Sequence, residues 1–116
     1  MYGLELDSWM GCQAEIRLRP QQGITSLKFV FESHAPLHLH PLRLIFEDAQ
    51  GVNIQTTHIN QPGQGEAFIP LRQFDATCGE VWLTVRCSPT FRPHQLDANN
   101  PDRRELGIRV VSLRYV

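Results

Sequence analysis

Apolar and polar residues alternate with a period of two along most of this chain, the spacing of strands that bury one face. Over residues 12–18, Cys12, Ala14, Ile16 and Leu18 alternate with Gln13, Glu15 and Arg17; Pro20 and the turn residues up to Gly23 close the run. Residues 26–33 set Leu27, Phe29 and Phe31 against Lys28, Val30 and Glu32. Pro36 and Pro41 then forbid ladder pairing at their own positions. Alternation resumes over 42–49, with Leu42, Leu44 and Phe46 against Arg43, Ile45 and Glu47. Asp48-Ala49-Gln50-Gly51 is a good tight turn, aspartate first and glycine last, and 52–59 is again strand-like. Residues 42–59 therefore read as a hairpin.

Residues 60–65 (NQPGQG) read as a loop, and 66–71 as a short strand that Pro70 places at a sheet edge or ends. A connection over 72–79 has room for one helical turn. The clearest strand is 79–88, where Val81, Leu83, Val85 and Cys87 share one face and Trp82, Thr84 and Arg86 the other. Seventeen residues, 89–105, form a long loop rich in proline and asparagine, long enough that a function is worth seeking there. In 106–116 the apolar phase runs Leu106, Ile108, Val110 and then slips to Val111, Leu113, Tyr115, the mark of a β-bulge or of a strand covered on both faces. The pattern predicts one all-β domain over residues 1–116. It is a two-sheet antiparallel sandwich of about seven or eight strands, with less than roughly a tenth of the chain in helix.

Composition narrows the function classes. Net charge is −1 and the pI is near 6.5, which argues against a nucleic-acid surface built on bulk charge. No apolar run approaches the roughly 18 to 20 residues that cross a bilayer. The opening MYGLELDSWMG has neither a basic nor an apolar signal region, and three cysteines (Cys12, Cys78, Cys87) form no CxxC pair, so reduced thiols and a cytoplasmic location are expected. Ten of the eleven basic residues are arginine, Lys28 being the exception; codon bias explains this without a function.

Catalytic and metal chemistry find little support. In an extended chain His38 and His40 project to one side and offer two imidazoles, but spacing supplies no third ligand, so neither a metal nor another cofactor is expected. There is no GxSxG elbow, and Gly63-Gln64-Gly65 lacks the strand–helix context of a phosphate loop. Asp102-Arg103-Arg104-Glu105 reads as an ion-paired anchor for the long loop, pairing with carboxylates on neighbouring strands. Binding chemistry is better represented. Trp82 occupies a polar-phase position with Thr84 and Arg86 on the same face, which is the stacking plane and hydrogen-bonding set that a pyranose needs. Arg92 and His94 of the long loop are expected to form the wall of that site. The competing reading packs Trp82 into a covered face. Trp9 reads as an apolar plug at the sandwich end, with Tyr2, Phe91, Arg92 and His94 as candidates for a neighbouring rim.

Two stretches resemble an accessory domain of bacterial glycosyltransferases in polysaccharide and glycan assembly. The first is DSWMGCQAEIRL, residues 7–18. The second is residues 90–116, with its Phe-x-Pro, the loop, the Asp-x-Arg-Glu-Leu-Gly run and a closing alternating strand. The Asp-x-Arg-Glu-Leu-Gly run stands here as Asp102-Arg103-Arg104-Glu105-Leu106-Gly107. The resemblance implies a jelly-roll-like sandwich, similar to a carbohydrate-binding module, that is not catalytic and works beside a glycosyltransferase. It carries over no site residues. The expectation is thus a glycan-binding accessory module; the alternative is a protein–protein or spacer domain acting through sheet edges.

Overall fold

In a computed structural model of the protein, the described residues are 2–4 (backbone alone), 9–19, 23–72, 74 and 79–116. Cys78, most of the expected 72–79 connection, the turn at 20–22 and the Tyr2 side chain lie outside them. The strands are β1 (Tyr2–Leu4), β2 (Met10–Leu18), β3 (Ser26–Ser33), β4 (Leu42–Glu47), β5 (Asn53–Ile59), β6 (Gly63–Pro70), β7 (Val81–Ser88) and β8 (Arg109–Tyr115). Among the described residues, helix is limited to a 3-10 turn, Leu37–Leu39, and one α turn, α1 (Pro93–Leu96). No helix among the described residues is long and apolar enough to cross a membrane.

One sheet has the order β1-β2-β7-β4-β5 and the other β6-β3-β8, and all pairings are antiparallel. The pairings are nested. β4 pairs with β5, β3 with β6 and β2 with β7, alternating between the sheets, and an isolated bridge from Trp9 to Arg109 continues the series. A hairpin folded over on itself in this way is a jelly roll. β1 was not expected from the pattern, and β6 starts at Gly63, inside the expected loop. β6 is an edge strand and Pro70 ends it, so the proline's missing N–H breaks no interior ladder.

The alternating side chains of both sheets meet in one core. Phe29 of β3 and Phe46 of β4 are fully buried and touch edge to face, with centroids 5.3 Å apart at 77°. Such a pair adds roughly 0.5 to 1.5 kcal/mol beyond its area burial. The phase slip near the C-terminus is a bulge: Val30 pairs with Ser112 and Phe31 with Val110, leaving Val111 unmatched and exposed. The insertion lets Val110 and Leu113 both turn toward the core.

The two ends of the chain close the sandwich together. Met10 N–H donates to the Ile108 carbonyl at 3.1 Å and Gly107 N–H to the Met10 carbonyl at 2.7 Å. The chain therefore leaves β8 at Met10 and reaches β7 only at Gln13. Cys12 lies on this crossover, and it is exposed rather than in the buried phase of Ala14, Ile16 and Leu18. Cys87 is 2% exposed, as its phase predicted. At Gly107 a Cβ would stand 2.6 Å from the Gly11 carbonyl oxygen, so only glycine fits where these segments cross.

Candidate functional site

β7 places Trp82, Thr84 and Arg86 on the outer face of the five-stranded sheet, because Val81, Leu83, Val85 and Cys87 point inward. Register sets their neighbours: Arg17 lies opposite Trp82, Glu15 and Glu47 opposite Thr84, and Gln13 and Ile45 opposite Arg86. Arg86 is pinned. Its Nε donates to Glu47 Oε1 and its Nη1 to Gln13 Oε1 at 2.8 Å. Trp82 is half-buried, between an open stacking platform and a core ring.

Beside Trp82 lies a hollow of about 440 Å³, lined by Asp48, Ala49, Gln50, Phe74, Glu80, Val81 and Trp82. The β4–β5 turn shapes one wall. Asp48 Oδ1 accepts from the Gln50 and Val52 backbone N–H groups, both at 2.9 Å, and Gly51 takes the positive φ of 81°. Glu80 on the other wall accepts from Arg19 Nη2 at 3.0 Å and lies 3.7 Å from Arg17 Nε. The hollow thus combines two aromatic rings, two carboxylates and an amide. Nothing in the local pattern brings Asp48 and Gln50 to Trp82, because the turn meets β7 only through the non-local β4–β7 pairing. The adjacency of an Asp-x-x-Gly turn to an outward tryptophan could have been found had the strand order been known.

Arg92 and His94 do not join this site. They follow the C-terminal end of β7, six residues beyond Trp82, and a strand of that length spans roughly 20 Å. Arg92 is occupied with its own loop, donating to the Arg103 carbonyl at 2.8 Å and to Glu105 at 3.3 Å. His94 Nδ1 lies 2.9 Å from the Asn100 carbonyl. Asp102 is bound by Arg104, with Oδ2 2.7 Å from Nη2, and this guanidinium holds its carboxyl below the usual carboxylate range. Among the described residues, Asp102 pairs with Arg104, and Glu105 with Thr90 and Arg92, inside the loop. Asx-type contacts turn the chain there: Asp97 accepts from the Asn99 N–H, Asn100 from the Asp102 N–H and Asp102 from the Arg104 N–H.

The histidines separate as well. The 3-10 turn removes the extended geometry that would align His38 with His40. His40 Nε2 lies 2.8 Å from Ser33 Oγ and its Nδ1 3.0 Å from the Pro36 carbonyl, so it satisfies a serine that is 2% exposed. His38 is exposed. Among the described residues no three His, Cys, Asp or Glu side chains gather in a metal-holding group. Trp9 is half-buried at the sandwich end, its ring 5.3 Å from His34 and 6.1 Å from Phe91.

No protein-family model matches the chain, and neither does any curated protein or solved structure compared with it.

Proposed function

We propose that the chain is a non-catalytic, carbohydrate-binding-like module that works with a bacterial glycosyltransferase in polysaccharide or glycan assembly. The observation that carries the reading is Trp82, on the outward phase of β7, at the edge of a hollow with Asp48, Gln50 and Glu80 around it. An indole face stacks on the C–H groups of a pyranose while carboxylates and an amide take its hydroxyls. The non-catalytic part is supported by how the acids are used: Glu47 with Arg86, Glu105 with Thr90 and Arg92, Asp102 with Arg104. The link to a glycosyltransferase rests on the resemblance of residues 7–18 and 90–116. Their convergence at Met10, Gly107 and Ile108 supports treating the two stretches as one unit.

The hollow is half open to solvent and leaves most sugar hydroxyls wet, so affinity for a monosaccharide is expected to be on the order of 0.1 to 1 mM. Titrating methyl glucoside, methyl galactoside and methyl mannoside into labelled protein should shift the Trp82 indole N–H resonance saturably. Trp82→Ala should abolish the shifts of the surrounding backbone. Spectra unmoved by every glycoside would refute the reading. A spacer role is favoured by one feature, the apolar residues Val111 on β8 and Val116 just after it, 45% and 46% exposed. Concentration-dependent self-association, lost on Val111→Lys, would support that reading instead.

A further inference from the structure

His34 stands at the other end of the sandwich, in a setting that the Trp82 hollow does not use. It follows β3, and its Nε2 lies 2.8 Å from Glu32 Oε2. A carboxylate accepts, so whenever the ring is neutral Nε2 carries its proton and Nδ1 is an acceptor. Trp9 holds the imidazole from a second side, with centroids 5.3 Å apart at 57°. Glu32 also lies 3.7 Å from Arg109 Nη1, and cross-strand register sets Gln64 beside it. A hollow of about 420 Å³ opens here, lined by Glu32, Ser33, His34, Pro62, Gly63 and Gln64. Gly63, on its rim, holds a φ of 125° that favours glycine.

The chemistry of this row is selective. Glu32 and Arg109 cancel in charge, so neither an anion nor a cation is favoured over water. What the hollow offers is acceptors (Glu32, His34 Nδ1, the Gln64 carbonyl) together with a donor (the Gln64 amide), while Arg109 neutralises Glu32 from the β8 side. Adjacent hydroxyls, each both donor and acceptor, match that mixture. The imidazole is fixed before binding by Glu32 and Trp9, so little side-chain order is lost when a ligand arrives.

We infer that the Glu32–His34–Gln64 hollow is a second ligand site, independent of Trp82, that takes a neutral vicinal diol of a pyranoside. The inference rests on the glycan-binding reading proposed above and adds a site at the opposite end, so that one extended glycan or two separate chains can be engaged.

The same methyl glycoside titration tests it when run on Trp82→Ala protein and followed at the His34 ring resonances. Saturable movement of His34 in that variant, weakened at least about fivefold by adding Gln64→Ala, is the expected result; Gln64 is exposed, so its loss spares the fold. If Trp82 responds in the unmodified protein and His34 never moves, the second site is overturned and the glycan reading stands. If neither responds, both fall. Movement of His34 that Gln64→Ala leaves unchanged also overturns the site as drawn.

Discussion

One methyl group at Gly107 tests how tightly the two ends of the chain are closed on each other. A Cβ there would meet the Gly11 carbonyl oxygen at 2.6 Å, Cys87 Sγ at 3.0 Å and Cys87 Cβ at 3.1 Å. The φ of residue 107 is not among the positive ones, so the penalty of Gly107→Ala is steric rather than torsional. The nearest obstacle is backbone and has no rotamer to escape through. Relief requires a displacement of about 0.8 Å to reach ordinary contact distance. That movement strains the 2.7 Å bond from Gly107 N–H to the Met10 carbonyl. Overpacking of this kind costs about 1 to 3 kcal/mol. Weakening a buried hydrogen bond adds about 1 kcal/mol. Reduced entropy of the unfolded chain returns about 0.4 to 1 kcal/mol. The net is a loss of about 2 kcal/mol, with the large term set by the clash. Unfolding entropy over 116 residues makes this a fall in Tm of roughly 8 °C. Urea and thermal unfolding followed by circular dichroism give both numbers. Gly11→Ala is the internal standard: its Cβ would meet the Glu105 carbonyl at 3.1 Å, a contact relieved by a few tenths of an ångström, and should cost less. If Gly107→Ala unfolds within about 0.5 kcal/mol of the parent, or Gly11→Ala costs more, the packing argument fails.

Other expectations follow from burial and charge. Phe46→Ala should cost about 3 to 5 kcal/mol and Trp82→Ala less than half as much in the same urea assay, since only the first ring is wholly buried; equal losses would place Trp82 in the core. Burial, with neighbouring Cys12 adding to it, pushes the Cys87 thiol from 9.0 up to about 12, so iodoacetamide at pH 8 should label Cys12 and spare Cys87 in the folded protein. The folded chain then keeps a proton that the unfolded chain releases near 9. Cys87 therefore lowers stability as pH rises from about 9 to about 12, and Cys87→Ala should flatten that part of the profile. Asp102 behaves oppositely: its carboxyl is held below 3.8 by Arg104, so its contribution is present above that pH and lost as pH falls through the lowered value. Arg104→Gln should bring the Asp102 titration, read from its side-chain carboxyl resonance, back toward the ordinary range; an unmoved midpoint contradicts the assignment.

Sequence by itself determined what depends on neighbours one and two residues apart. Period-two alternation gave the inward faces of β3, β4 and β7, including Phe29, Phe46 and Cys87, because successive side chains must point to opposite sides of a strand. Turn chemistry at Asp48–Gly51 gave the β4–β5 hairpin, and the phase slip at Val110–Val111 gave the bulge. It also put Trp82, Thr84 and Arg86 on one outward face.

Tertiary structure alone decided what those faces meet. Strand order is non-local, so nothing in the local pattern said that the β4–β5 turn would stand beside Trp82 or that Gln13 and Glu47 would hold Arg86. Arg92 and His94 looked close to Trp82 in the chain and are separated by the length of β7, since an extended strand carries its ends apart at about 3.3 Å per residue. His38 and His40 lost their shared direction when prolines on either side let the chain curl into a 3-10 turn, and a buried Ser33 claimed His40. Cys12 left the buried phase because its strand was crossing between sheets. In each case the local rule gives a side chain its direction, and the pairing of distant strands gives it its neighbours.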